Sequence, residues 1–489
     1  MFVTILWSLI PTLVVAYDGR ERYFSVGNPQ FLRTRIDSIV SPNKVSGHEH
    51  NIVGVSNFNA GLTFEEAQKA SCTTSYIQAD KSAYWLPGLY YQWKNDSTFS
   101  NIQGDGIVTY WKYAQSGPND TFAVVPDDFR MVAGNVSRDT LDIQEAKNNA
   151  VSFECIGDGW DYKFPYIPAD LECPAIRSQI FFPSCWNGKD AYLSDNSHVS
   201  YPLNTDQYEG APCPPTHPHR IPSLFMEAYY HPKDALGPDY EWYPGCLVLS
   251  TGDNFGLSFH ADWQNGFPSG MLVDAFNQCQ DQLNGTPVGC AVFDASIDHA
   301  AADGCYPTGQ LVAEPVGLNK RLPNLPGNNP VYNSSALANK PKIPRPGYVE
   351  TAVLVNVPAD KSGTCQGIGN RVCTDYDGPV PESNQPNPND NSGNSSTSAP
   401  SSSSSMPMDM PMPSGSSSSS AASNPVTSSS VGMGGTPEAI QTGGGDVLLA
   451  GGSSSSMPTP SGNPVGGCER RRKRSRGRAV QEEYDDYDW

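Results

Sequence analysis

Across the first 378 residues, apolar positions come in short bursts, and helical periodicity is rare. Residues 106–111, 121–125, 129–133, 179–182, 246–250 and 349–357 are each rich in β-branched or aromatic side chains, with Gly, Pro, Asn and Asp between them. Such side chains suit a pleated, half-buried surface, and the residues between supply turn geometry. The pattern predicts a mainly β fold: a β-sandwich or jelly-roll-like core with a few short helices. Two helices are expected. One opens at Thr63-Phe64-Glu65-Glu66 and runs through Ala70, and the longer one spans 270–283.

Both ends depart from this pattern. Residues 2–15 are apolar except for Thr4, Ser8, Pro11 and Thr12, and they end in Val14-Val15-Ala16 before a polar turn. That stretch is below the roughly 20 residues a helix needs to cross a bilayer. It reads as a secretory signal over 1–16, with the globular part over 17–378. Residues 379–467 are dominated by Ser, Pro, Gly and Asn. Such a segment has too little apolar surface to offset its ordering entropy, which predicts a disordered, O-glycosylated stalk. The final segment, 468–489, is basic at Arg470-Arg471-Arg472-Lys473-Arg474 and then acidic. The basic run reads either as a dibasic processing site or as a solvated charge cluster. Neither a membrane span nor a lipid anchor is expected.

Composition agrees with export. Eleven of 12 cysteines lie between Cys72 and Cys373, and an oxidising compartment would pair most of them. The odd thiol is free, pairs with another chain, or reaches Cys468. Asn-X-Ser/Thr sequons occur at Asn95, Asn119, Asn135, Asn284, Asn333 and Asn394. The formal net charge is −20, and the folded part lacks a basic cluster, which argues against nucleic acid as a partner.

The candidate chemistry lies in the histidines, of which the chain has 8. Ser46-Gly47-His48-Glu49-His50 places two imidazoles at i and i+2, on one face of an extended segment. His260-Ala261-Asp262 repeats the spacing, Ser197-His198-Val199-Ser200 alternates similarly, and Glu227 follows another histidine-rich stretch. His48, His50, His198, His260 and Asp262 have the ligand chemistry of a transition-metal site, although no cofactor is required. A metal-free acid–base site is the competing reading. It would use His48, His50, His198, Glu227, His260 and Asp262 in one cleft. Tyr84, Trp85, Trp186 and Trp263 would stack on sugar rings, and Arg220 would assist binding. In the tail, Met406, Met408, Met410 and Met412 alternate as soft ligands suited to Cu(I), or simply reflect composition.

Asp37-Ser38-Ile39-Val40-Ser41-Pro42 through His48-Glu49-His50-Asn51-Ile52-Val53-Gly54 resembles the opening of the secreted fungal family called domain of unknown function 1996. The resemblance continues through Tyr84 to Tyr90, Phe182 to Gly188, Ser197 to Pro202 and the His260 segment. It closes at Leu325-Pro326-Gly327-Asn328-Asn329-Pro330, so that it covers about residues 37–335. The resemblance implies a secreted fungal protein with a low-complexity tail and supplies no established reaction. Three functions stay open. They are a hydrolase or lyase acting on cell-wall or plant polysaccharide, a non-catalytic wall glycoprotein, and an extracellular transition-metal-binding protein. Clustered histidines and carboxylates favour the first.

Overall fold

Alternation along the strands builds the largest sheet. In Ile107–Lys112, residues Ile107, Thr109 and Trp111 are buried while Val108, Tyr110 and Lys112 are half-exposed. The same alternation in Tyr23–Asn28 lets the two pair antiparallel with their apolar sides in register. The computed structural model describes residues 21–117, 120–204, 210–335, 351–366 and 372–379. Within them a seven-stranded sheet runs Trp160–Phe164, Val151–Gly157, Ala175–Phe181, Ser223–Tyr230, Ile107–Lys112, Tyr23–Asn28 and Asn284–Gly285. Its pairs are antiparallel except the last, which is parallel.

A five-stranded antiparallel sheet runs Leu32–Thr34, His50–Gly54, Ala83–Pro87, His260–Gln264 and Arg130–Gly134. Here alternation disappears, because His50–Gly54, Ala83–Pro87 and His260–Gln264 are buried at every position. A sheet covered on both faces has no solvent side for polar residues. One face packs on the larger sheet. The Trp111 and Trp263 rings meet edge to face at 5.1 Å, and the Asn51 amide donates to Tyr230 Oη at 3.0 Å. The fold is therefore mainly β and sandwich-like, with short helices at its margins.

Both expected helices form, each shorter than its sequence suggested. Phe64–Ala67 carries a capping box in which Thr63 Oγ1 accepts from Glu66 N–H and Glu66 accepts from Thr63 N–H, both at 3.2 Å. Met271–Gln278 stops at Cys279, which is bridged to Cys290. Residues 121–125 do not form a strand. Ala123 N–H reaches Arg220 C=O, and Pro126 then supplies no donor to continue a ladder. Only Leu354–Asn356 of the 349–357 run is a strand, and part of that run lies outside the described residues.

Five disulfides, Cys72–Cys305, Cys155–Cys173, Cys185–Cys213, Cys279–Cys290 and Cys365–Cys373, staple the domain. Among the described residues Cys246 is the unbridged cysteine, and it is buried. After Cys373, Asp375 accepts five backbone N–H bonds from Val316, Gly317, Leu318, Asn319 and Lys320, at 2.8–3.0 Å. No helix among the described residues is long and apolar enough to cross a membrane. The signal segment, the stalk, the methionine run, Cys468, Asn119 and Asn394 lie outside the described residues. Asn95, Asn135, Asn284 and Asn333 are exposed.

Candidate functional site

The site begins with strand register. Pro87 pairs with His50 on one side of its strand. On the other side Trp85 pairs with Asp262, and the same register carried two residues on places His260 beside Pro87. His50 and His260 therefore flank one proline from the two neighbouring strands. Gly134 pairs with His260 at φ +79, and a Cβ there would lie 2.8 Å from the His260 Cα, so the strand approaches closely only because that residue is glycine.

His48 arrives from the loop before His50–Gly54 and shares their side by the i, i+2 relation. Several groups hold that loop. Arg35 donates to Ser46 C=O at 2.8 Å and forms a two-point ion pair with Glu314. The Asn329 amide donates to Gly47 C=O at 2.8 Å and to Ser250 C=O at 3.0 Å. Glu49 points the opposite way and is buried, and Ser250 Oγ donates to its carbonyl at 2.6 Å. Burial pushes the Glu49 carboxyl up to about 7, against the opposing pull of Arg33.

The three rings meet edge to face. Their centroids are 4.3 Å apart for His48–His50, 5.0 Å for His48–His260 and 5.9 Å for His50–His260. One ring nitrogen from each lies within 4.8 Å of the others. His50 Nδ1 sits 3.1 Å from Ile36 C=O, and His260 Nδ1 sits 2.8 Å from Ser258 C=O. A carbonyl can only accept, so both rings carry the proton on Nδ1 and present a lone pair on Nε2. His48 Nε2 is 3.1 Å from His260 Nε2. His50 Nε2 is buried without a hydrogen-bond partner. Burial holds all three imidazoles below their ordinary pKa, His260 down to about 4, and neighbouring rings add to this for His48 and His50. All three are therefore neutral, the form that ligates metals.

The remaining sequence candidates lie elsewhere. Asp262 follows His260 on the same strand face and is fully buried, with neither carboxylate oxygen partnered. Burial, then the nearby Asp37 carboxylate, pushes its pKa well up, which favours the protonated form. His198 is not in the cluster. Its Nε2 meets Arg130 C=O at 2.7 Å, and Arg130 pairs with Gln264, four residues along the strand from His260. Glu227 belongs to the other sheet, where Tyr110 Oη donates to it at 2.6 Å and Arg177 lies 3.4 Å away. The single cleft expected to gather all six groups is thus divided.

The proposed sugar-stacking rings are core instead. Tyr84, Trp85 and Trp263 are at most 1 % exposed, and Trp186 is 8 % exposed with its indole N–H donating to Asp190 C=O. Arg220 is buried against Asp120 and Ala211 C=O. For Tyr84, Trp85 and Trp263 packing demand outweighed surface display, because their strands are covered on both sides. Arg35 and Glu314 escaped sequence reasoning because nothing links them locally. Gly327 and Asn329 lay within the closing motif of the family resemblance, which was their signal.

Residues 37–267 match the model of the family described as Domain of unknown function (DUF1996), and that span includes all three clustered histidines. No curated protein and no solved structure matches the chain.

Proposed function

Residues 37–267 of this chain belong to the domain of unknown function 1996 family, and we propose that the domain is an extracellular metalloprotein domain. His48, His50 and His260 would hold one transition-metal ion through Nε2. The buried, unpartnered Nε2 of His50 carries this reading. Two backbone carbonyls turn the lone pairs of His50 and His260 toward shared space, where a buried acceptor without a donor is costly. A cation supplies the missing partner, and fixing a ligand ring through its other nitrogen is how metal-binding histidines are oriented.

Imidazole suits Zn²⁺ and Cu²⁺. Three protein ligands leave a coordination position for water or substrate, and His48, the half-buried member, is where that position would meet solvent. Metal-free glycosidase chemistry is less well supported. It needs two carboxyl groups facing one cleft, whereas Asp262 is sealed and Glu227 is tied to Arg177 in the other sheet. Five disulfides, four exposed sequon asparagines and the apolar leader support export.

The test is titration of the secreted, chelator-stripped chain with Zn²⁺ and with Cu²⁺, followed by calorimetry and elemental analysis. One equivalent is expected to bind. It should be lost in His50→Ala and in His260→Ala, and retained in His198→Ala. Unchanged stoichiometry in the first two variants, with the fold verified by thermal unfolding, would remove the proposal.

A further inference from the structure

The seven-stranded sheet has a second face, opposite its core. Register places Phe181, Phe225 and Tyr110 side by side on three adjacent strands, and Tyr23 is the diagonal neighbour of Tyr110 on the next. The Phe181 and Phe225 rings stack at 4.4 Å, Phe225 and Tyr110 are 5.5 Å apart, and Tyr110 and Tyr23 are 6.3 Å apart. All four are half-exposed, unlike the core rings that the sequence first offered. The result is an aromatic strip running across the strands.

Beside the strip lies a polar recess. Arg177 pairs with both Glu154 and Glu227, and Glu227 also accepts from Tyr110 Oη at 2.6 Å. Gln179 stands opposite Glu227 in register, and its amide donates to Ser152 Oγ at 3.0 Å. Its carbonyl oxygen is left without a partner although the residue is 4 % exposed. The Arg177 Nε–H in the neighbouring row is also unpartnered. One orphan acceptor and one orphan donor therefore sit a single row apart, next to the rings.

Charge on this face comes within one of cancelling. Arg177 is matched by Glu154 and Glu227, Lys112 by Glu21, Lys163 stands opposite Glu154, and exposed Asp161 shares the face two residues from Lys163. A charged ligand would gain little net attraction and would have to break these pairs to bind. The complementary ligand is uncharged, with flat apolar faces for the rings and hydroxyls that both donate and accept. We propose that this face binds a neutral polysaccharide chain laid across the strands. The aromatic strip carries the apolar faces of the sugars, and side-chain rotation in the recess brings Gln179 Oε1 and Arg177 Nε–H, both covered in the unliganded protein, to the sugar hydroxyls. The spacing of about 4.8 Å between strands is close to the length of one sugar unit, which lets successive rings meet successive sugars. This site is separate from the three-histidine cluster and needs no metal.

The test uses the full secreted chain in the presence of EDTA, so that its failure is distinct from failure of the metal centre. Cellohexaose, laminarihexaose and chitohexaose are titrated by calorimetry, with polygalacturonate as the charged comparison. At least one neutral hexaose should bind. Tyr110→Ala and Phe225→Ala should each weaken it about tenfold, as loss of a stacked ring does. Val108→Trp, which blocks the face without removing a core contact, should abolish binding while thermal unfolding confirms the fold. This second variant decides the matter if the ring deletions fail to fold. Absence of binding to every neutral hexaose, binding of polygalacturonate alone, or full affinity in Val108→Trp would each overturn the proposal.

Discussion

His48 and His260 are 212 positions apart in the chain, and their Nε2 atoms stand 3.1 Å apart. His260 cannot supply the proton for that contact, because its own proton is on Nδ1 against Ser258 C=O. His48 must therefore donate from Nε2, or a cation must lie between the rings. The first alternative still leaves His50 Nε2 without a donor. One ion, as proposed above, would satisfy all three rings.

The loop carrying His48 is held from outside the cluster, and that support should be measurable. Gly327 has φ +77, and a Cβ there would lie 2.4 Å from Gly47 C=O. Gly327→Ala should displace the Gly47–His48 peptide, as should Asn329→Ala, which removes three hydrogen bonds. Each is expected to weaken metal affinity by about 10- to 100-fold, the usual effect of losing an outer-shell support. Calorimetric titration of the two variants checks this, and wild-type affinity in both would show that the loop is placed by other contacts.

Asp80 predicts a pH dependence of stability. It is buried, accepts from Ser82 N–H at 3.0 Å and from Tyr84 Oη at 2.9 Å, and burial pushes its pKa up to about 6. The folded state thus holds the proton more tightly than the unfolded chain, where the pKa is about 3.9. The resulting stability is full below about pH 4 and is lost as pH rises through about 6, at most about 3 kcal/mol. Asp80→Asn should flatten this slope in urea unfolding at pH 4, 5, 6 and 7. A slope identical to wild type would refute the assignment.

The disulfides should contribute unequally. Cys72–Cys305 spans a separation of 233 residues and Cys279–Cys290 a separation of 11. Loop-closure entropy assigns about 5 kcal/mol to the first and about 3 to the second. Replacing each pair with serine should lower the unfolding midpoint more for the first pair. The reverse order would point to native-state packing as the larger contribution.

Cys246 should be inert until the fold opens. Burial pushes its thiol up to about 11, so little thiolate exists at neutral pH. In a Cys468→Ser chain, a thiol reagent should find none in the native protein and one after denaturation. Rapid native labelling would place Cys246 at the surface.

Asp375 should anchor the C-terminal strap. Its carboxylate accepts five backbone N–H bonds from residues 316–320, and Asp375→Ala leaves those donors unpaired. The cost should be on the order of 3 kcal/mol. Hydrogen exchange should localise the loss to residues 316–320. Exchange unchanged there would mean that water replaces the carboxylate freely.

Local pattern carried the fold class. Short β-branched runs between turn residues became antiparallel strands, and Thr63 with Glu66 capped a helix where one was expected. Periodicity two was also enough to put His48 and His50 on one side, with Glu49 on the other. Spacing failed wherever depth mattered. Trp85 and Trp263 looked like display residues, yet they fill a sheet covered on both faces. His198 has the same alternating surroundings as His260, yet lies at the far end of that strand.

What the sequence determined by itself was therefore periodicity and composition: a mainly β domain, the odd cysteine, and pairs of polar residues sharing a face. Tertiary structure alone decided which faces met and which were sealed. Strand order brought His50 and His260 to either side of Pro87, and loop contacts from Arg35 and Asn329 brought His48 to them. The reason is that alternation depends on the local geometry of one strand. Which strands become neighbours depends on burying the whole apolar surface at once, and no local segment encodes that balance.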